Sequence, residues 1–199
     1  MASLIEVIDP QRLDTIVTLG DYVDRGLDSK GVIEQLIALK SRCNLICVFG
    51  NHDQMMLQCK DSKEKFDWWM ECGGITCLDS YGDSGRPNLI PKAHFEFLRN
   101  CVSYFEGDTH LFVHANYRPD QPLAETDDHT LRWLSLEDSV PTPHISGKLA
   151  VMGHTPHPEV LDLGHLLCID TNCCDGGWLT ALDVNSKKLW QVEEQGQRR

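Results

Sequence analysis

No run of this sequence is apolar for long enough to cross a membrane as a helix, which takes about 20 residues. No basic segment leading into an apolar core opens it either. The first residues, MASLIEVIDP, carry acids, so no secretory signal is read there. Positive charge is in short supply: 18 Lys and Arg face 30 Asp and Glu, a net charge of -12. Such a surface repels polyanions, which argues against nucleic-acid or membrane partners. A small phosphorylated ligand or a phosphoprotein stays open. The nine cysteines form no Cys-x-x-Cys pair, and the closed Cys/His spacing of a structural zinc module is missing. They read as reduced thiols, mostly small buried hydrophobes, in a cytoplasm. No internal repeat and no linker interrupts the chain. One domain is expected over 1–192, with the polar 193–199 as a disordered tail.

What is present is the patterning of a globular α/β chain. Hydrophobic residues make up 41% and charged residues 24%, enough for a buried core. Residues 2–9 have helical apolar spacing. "DTIVTLG" is a β-branched run closed by Gly, and "NLICVFG" is a second. Between them, "DSKGVIEQLIALKSRC" starts at an Asp-Ser cap and places Val32, Ile33, Leu36, Ile37 and Leu39 on one helical face. Two buried strands joined through a helix indicate a mainly parallel sheet. Residues 51–81 read as helical with a break at Gly73-Gly74. Residues 80–91 read as a loop, and "PKAHFEFLRNC" as a helix opened by Pro. "VSYFEG" and "THLFVHAN" form two strands about a turn at Gly107-Asp108, residues 118–130 a polar loop, and "LAVMG" another strand. The remainder alternates like hairpins.

Four of these strands end in a side chain able to bind a metal. Asp21 follows "TIVTLG", Asn51 follows "VFG", His114 follows "LFV" and His154 follows "VMG". Ligands of open α/β sheets bind beyond the carboxyl ends of strands. One such residue is ordinarily a cap; four in the same structural place point to a site. An Asp, Asn and two-His set suits a first-row divalent ion such as manganese, iron or zinc. Two such ions sharing a hydroxide can attack phosphorus in line.

The motifs "GDYVDRG", "GNHD", "VHAN" and "GHT" run from Gly20 to Thr155. Together they resemble the calcineurin-like metallophosphoesterases, and within them the phosphoprotein phosphatase branch, with its bacterial members and the symmetrical diadenosine tetraphosphate hydrolases. The resemblance implies a four-layer α/β/β/α sandwich and two divalent metals, most often manganese. It assigns Asp21 as the bridging ligand and Asn51, His114 and His154 to the second metal. His52 is then the general acid, oriented by Asp24, while Arg25 and Asn51 hold the phosphate. An imidazolium held by a carboxylate is a good proton donor near neutral pH, and a guanidinium fork suits a phosphate. Arg132 is the expected second phosphate-binding Arg, with Arg118 the other Arg between the two His motifs. Pro156 in "GHTPH" stands where phosphodiesterase relatives carry a second His, which favours the phosphatase branch. Asn116 stands where that branch often has Gly.

The family pattern starts with a strand ending in Gly-Asp-x-His-Gly, whose Asp and His serve the first metal. The fourteen residues before Thr15 hold no such motif. The expectation is therefore a fold missing its first central strand, and a chain whose own ligands serve one metal. "GDTH" at 107–110 matches only in letters, because His110 opens the strand that His114 closes. "DDH" at 127–129 is a loop-borne alternative. The leading reading is hydrolysis of phosphomonoesters on phosphoserine or phosphothreonine proteins, or on a small phosphorylated metabolite, by metal-bound hydroxide. Hydrolysis of dinucleoside polyphosphates is one alternative. A non-catalytic protein that binds phosphate and metal is another.

Overall fold

The computed structural model describes residues 1–83 and 85–199. Ser84, inside the loop expected over 80–91, lies outside the described residues. The class is α/β, as expected, and the chain divides into two compact units, Arg12–Val102 and Met1–Gln11 with Ser103–Arg199. Among the described residues no helix is long and apolar enough to cross a membrane.

The chain opens with α1 (Ala2–Ile8), part of the second unit. The first unit then runs through β1 (Thr15–Thr18), α2 (Ser29–Leu39), β2 (Asn44–Cys47), α3 (Asn51–Gln58) and α4 (Lys63–Trp69). A π-helical turn (Met70–Gly74), α5 (Ile75–Ser80) and α6 (Lys92–Arg99) complete it. β1 and β2 pair in parallel, from Thr15↔Asn44 to Thr18↔Cys47. α2 begins where the Asp28 carboxylate accepts the Gly31 amide at 2.9 Å, and it buries Ile33, Leu36 and Leu39. Each buried side chain of this size is worth about 1.5–3 kcal/mol. The helical stretch 51–81 breaks twice. Ser62 accepts the Lys65 amide at 3.2 Å and starts α4 as a new helix, a cap the sequence reading passed over. The second break is the expected one, where Gly73 takes φ 115°, a conformation open to glycine.

In the second unit a five-stranded sheet has the order β3-β4-β5-β7-β6. Its strands are β3 (Tyr104–Glu106), β4 (His110–Val113), β5 (Leu149–Met152), β6 (Leu161–Asp162) and β7 (Leu166–Cys168). The central β4, β5 and β7 run parallel and the two edge strands antiparallel. Leu111, Val113, Ala150, Met152, Leu166 and Cys168 from the three central strands form one core with Tyr117, Leu123, Leu131 and Leu136. A separate antiparallel pair, β8 (Leu179–Leu182) and β9 (Leu189–Val192), packs against α1. One expectation changes here. The polar loop 118–130 contains a 3-10 turn (Leu123–Glu125) and leads into α7 (Asp128–Arg132), because the Asp127 carboxylate caps the Thr130 amide at 2.9 Å. Residues 193–199 make contacts with the rest of this unit. The Arg199 amide donates to the Gln191 carbonyl at 3.1 Å, and Arg198 pairs with Glu6.

Candidate active site

In the unit Arg12–Val102 the carboxyl ends of two adjacent parallel strands deliver the chemistry. Asp21 lies three residues past Thr18, and Asn51 four past Cys47, and Thr18 and Cys47 are register partners. The loop after β1 is sharply bent: Gly20, Asp21, Asp24 and Arg25 all have positive φ, of 95°, 55°, 73° and 58°. Such backbone is costly for residues other than glycine and persists only where its surroundings fix it. Here the fixing group is Asp53, fully buried, whose carboxylate accepts the amides of Asp21, Tyr22 and Gly50, each at 2.9 Å. Burial and the Asp21 charge push the Asp53 pKa up, against the pull of those amides. Tyr22 anchors the same loop from below, donating its hydroxyl to the Val48 carbonyl at 2.6 Å. Sequence reading quoted "GNHD" yet gave Asp53 no role.

His52 is joined to this loop twice. Its amide donates to Asp21 Oδ1 at 3.1 Å, and its Nδ1 lies 2.8 Å from Asp24 Oδ2. Both side chains of the pair are buried. Burial lowers the His52 pKa, but the Asp24 hydrogen bond and the charges of Asp21 and Asp24 more than reverse it, so the net shift is upward. Burial also raises the Asp24 carboxyl, offset in part by the bonds from His52 and Trp69. An imidazole held so by a buried carboxylate keeps its proton to higher pH, as a proton donor must. Arg25 is exposed, and its amide donates to the Gly73 carbonyl at 3.4 Å.

In the second unit the same logic repeats. β4 and β5 are adjacent and parallel, with Phe112↔Val151 in register. His114 and His154, just past their ends, therefore meet. His114 Nε2 lies 3.2 Å from His154 Nδ1. The His154 Nε2 faces the Trp133 carbonyl at 3.2 Å; since a carbonyl only accepts, Nε2 is the donor in that contact. His154 takes φ 64° and is held on both sides. The Gly153 amide donates to the His114 carbonyl at 2.9 Å, and the Cys168 thiol reaches the carbonyls of Gly153 and Thr155 at 3.4 and 3.3 Å. Two converging imidazole nitrogens here, and an aspartate with an asparagine in the other unit, are the donor types a divalent ion takes.

Arg132 is buried on α7, where its guanidinium donates to Ser103 Oγ at 2.9 Å and pairs with Asp128 at 2.8 Å. Arg118 is half exposed and lies 3.6 Å from Asp127. The "DDH" alternative at 127–129 is not loop-borne: Asp127 caps α7, Asp128 pairs with Arg132 and His129 lies within the helix. His110 opens β4, away from the end that carries His114. Asn116 is buried, donating to the Ser139 carbonyl at 2.8 Å and accepting the Tyr117 amide at 2.9 Å, so its side chain builds the loop after His114.

The family model of the calcineurin-like phosphoesterases matches residues 1–185. The chain is 30% identical over 179 residues to serine/threonine-protein phosphatase 1 of Salmonella typhimurium, covering 86% of this chain and 79% of that protein. It is 31% identical over 122 residues to the symmetrical bis(5'-nucleosyl)-tetraphosphatase of a Janthinobacterium species, covering 61% and 39% respectively. Its fold is similar to a crystal structure assigned provisionally as a diadenosine tetraphosphatase, with TM-score 0.71, 19% identity and coverage of 96% and 86%. It is also similar to a cold-active protein tyrosine phosphatase of a psychrophilic Shewanella, with TM-score 0.65, 16% identity and coverage of 99% and 74%.

Proposed function

Since this chain belongs to the calcineurin-like phosphoesterases and is a phosphoester hydrolase, we propose that it is a manganese-dependent phosphatase acting on phosphomonoesters of serine and threonine in proteins. The observation that carries the reading is the buried His52–Asp24 contact of 2.8 Å. His52 donates the proton that the departing alkoxide needs, and Asp24 holds the ring in position for it. Asp21, Asn51, His114 and His154 serve as ligands to divalent metal, which when bound supplies positive charge to phosphoryl oxygens and acidifies water. Arg25, Asn51 and Arg132 grip the phosphate, the two guanidinium groups through their planar forks. The substrate class follows the Salmonella relative, which spans most of this chain. The nine cysteines, none of them in a disulfide, support a reducing cytoplasm as its location.

The Janthinobacterium relative supports a second reading, hydrolysis of dinucleoside polyphosphates. One experiment separates the two. The protein is loaded with manganese and assayed on a phosphoserine peptide, p-nitrophenyl phosphate and diadenosine tetraphosphate, with a chelated control. Turnover of the peptide and p-nitrophenyl phosphate, lost on chelation, supports the phosphatase. Turnover of diadenosine tetraphosphate alone assigns the second reading, and turnover that survives chelation overturns both.

A further inference from the structure

The His52–Asp24 pair has a third member. The Trp69 indole Nε1 donates to both oxygens of Asp24, at 2.9 Å to Oδ1 and 3.0 Å to Oδ2. We propose that Trp69 is a positioning residue for the His52–Asp24 pair, its forked N–H fixing the plane of the Asp24 carboxylate and through it the angle of the His52 ring. The proposal rests on the reading of His52 as proton donor for its catalytic consequence, though not for its geometry.

The argument begins with burial. The Asp24 side chain is 0% exposed, so protein donors must satisfy its oxygens. A carboxylate rotates in a broad, nearly two-fold well, so one bond from the imidazole leaves its plane loosely set. A donor spanning both oxygens removes that freedom and leaves Oδ2 facing His52 Nδ1. Trp69 can do this because its indole nitrogen is a donor only, and because the ring itself is fully buried. Phe66 meets the indole edge-on at 6.4 Å between centroids.

The local sequence is shaped to seat this ring. Trp69 is the last residue of α4, and the π-helical turn begins immediately after it. A Cβ at Gly74 would fall 2.7 and 2.8 Å from two indole carbons, so only glycine leaves room for the ring there. A Cβ at Gly73 would fall 3.3 Å from the Arg25 amide and 3.5 Å from the Asp24 Cβ. The Gly73 carbonyl also receives that amide. The segment Trp69–Gly74 thus closes on Asp24 and Arg25 with both an indole donor and a backbone acceptor.

Trp69→Phe removes the indole N–H but also part of the buried ring, so the readouts must separate the lost donor from the lost packing. Two readouts decide. The first is nuclear magnetic resonance of labelled protein. Among the five tryptophans, the indole proton of Trp69 resonates far downfield and moves upfield in Asp24→Asn, and Trp69→Phe shifts the His52 Nδ1 proton. An unmoved His52 resonance overturns the positioning role. The second is leaving-group dependence. Trp69→Phe slows kcat on phenyl phosphate, whose leaving oxygen needs a proton, by about tenfold. It slows p-nitrophenyl phosphate far less, and it adds no further loss in the Asp24→Asn background. Equal losses on both substrates in both backgrounds overturn the proposal in favour of packing. If wild type turns over neither substrate, the phosphatase reading fails, and the His52 resonance alone decides the role of Trp69.

Discussion

His114 Nε2 and His154 Nδ1 lie 3.2 Å apart because β4 and β5 run side by side and end together. The Trp133 carbonyl engages His154 Nε2, and Nδ1 of the same ring faces His114. Loss of either imidazole should therefore weaken metal binding without unfolding the sheet. Manganese affinity in His154→Ala is expected to fall by at least about tenfold, by analogy with losses around metal-binding histidines. Titration calorimetry on chelator-stripped protein reads this directly. A variant that binds manganese as tightly as wild type would show that this pair is not part of the metal site.

Asp53 is a prediction about folding. Its carboxylate accepts three amides, from Asp21, Tyr22 and Gly50. Removing the acceptor strands buried N–H groups at about 1–3 kcal/mol each. Asp53→Ala is expected to lose at least about 3 kcal/mol, a large part of the usual 5–15 kcal/mol of a folded domain. Urea unfolding followed by far-ultraviolet circular dichroism measures the shift of midpoint. A change below about 1 kcal/mol would mean that the amides find other acceptors.

The contrast between Asp53 and its neighbours shows what the sequence made legible. Asp21, Asn51, His114 and His154 could be placed because each follows a β-branched or apolar run, and strand ends are where such sheets bind ligands. The helix α2 was legible from its cap and apolar period, and β1 and β2 from their branched residues. Trp69 acts through a contact 45 residues away, and two of the three amides that Asp53 accepts lie 31 and 32 residues away, while only its Gly50 contact is local. The α7 helix was hidden for a different reason. It spans only Asp128–Arg132, too short for a period to show, and its sole local signal was the Asp127 cap.

Arg132 and Arg118 separate the two candidates for the second phosphate-gripping residue. Arg132 is buried and tied to Ser103 and Asp128, whereas Arg118 is half exposed. A guanidinium already oriented loses less freedom on binding an anion. Arg132→Ala is expected to raise KM for p-nitrophenyl phosphate by about tenfold or more, and Arg118→Ala to change it less than about twofold. Steady-state kinetics on the two variants decides; the opposite ranking would move the role to Arg118. Asp128→Ala is the control for the ion pair. Because Asp128 is 70% exposed, its loss should cost no more than about 1 kcal/mol.

Buried thiols are expected to lower stability at alkaline pH. Cys59, Cys77 and Cys168 are nearly inaccessible, and burial, the leading cause in each, pushes them up to about 11, about 12 and about 11. In the unfolded chain each ionises near the ordinary thiol value of about 8.5–9. Above that pH the unfolded state binds fewer protons than the folded one, so folding stability falls as pH rises. Each thiol contributes about 1.4 kcal/mol per pH unit until its folded pKa is reached. Below about pH 8.5 these three groups are protonated in both states and contribute no slope. Urea midpoints measured at pH 8 and pH 10.5 should therefore differ, with the higher pH less stable. Cys77→Ala leaves a cavity that weakens the fold at both pH values, yet it should flatten the decline between them. An undiminished decline in Cys77→Ala would assign the alkaline sensitivity to other groups, the buried Tyr22 hydroxyl first among them, since burial raises it well above its ordinary value.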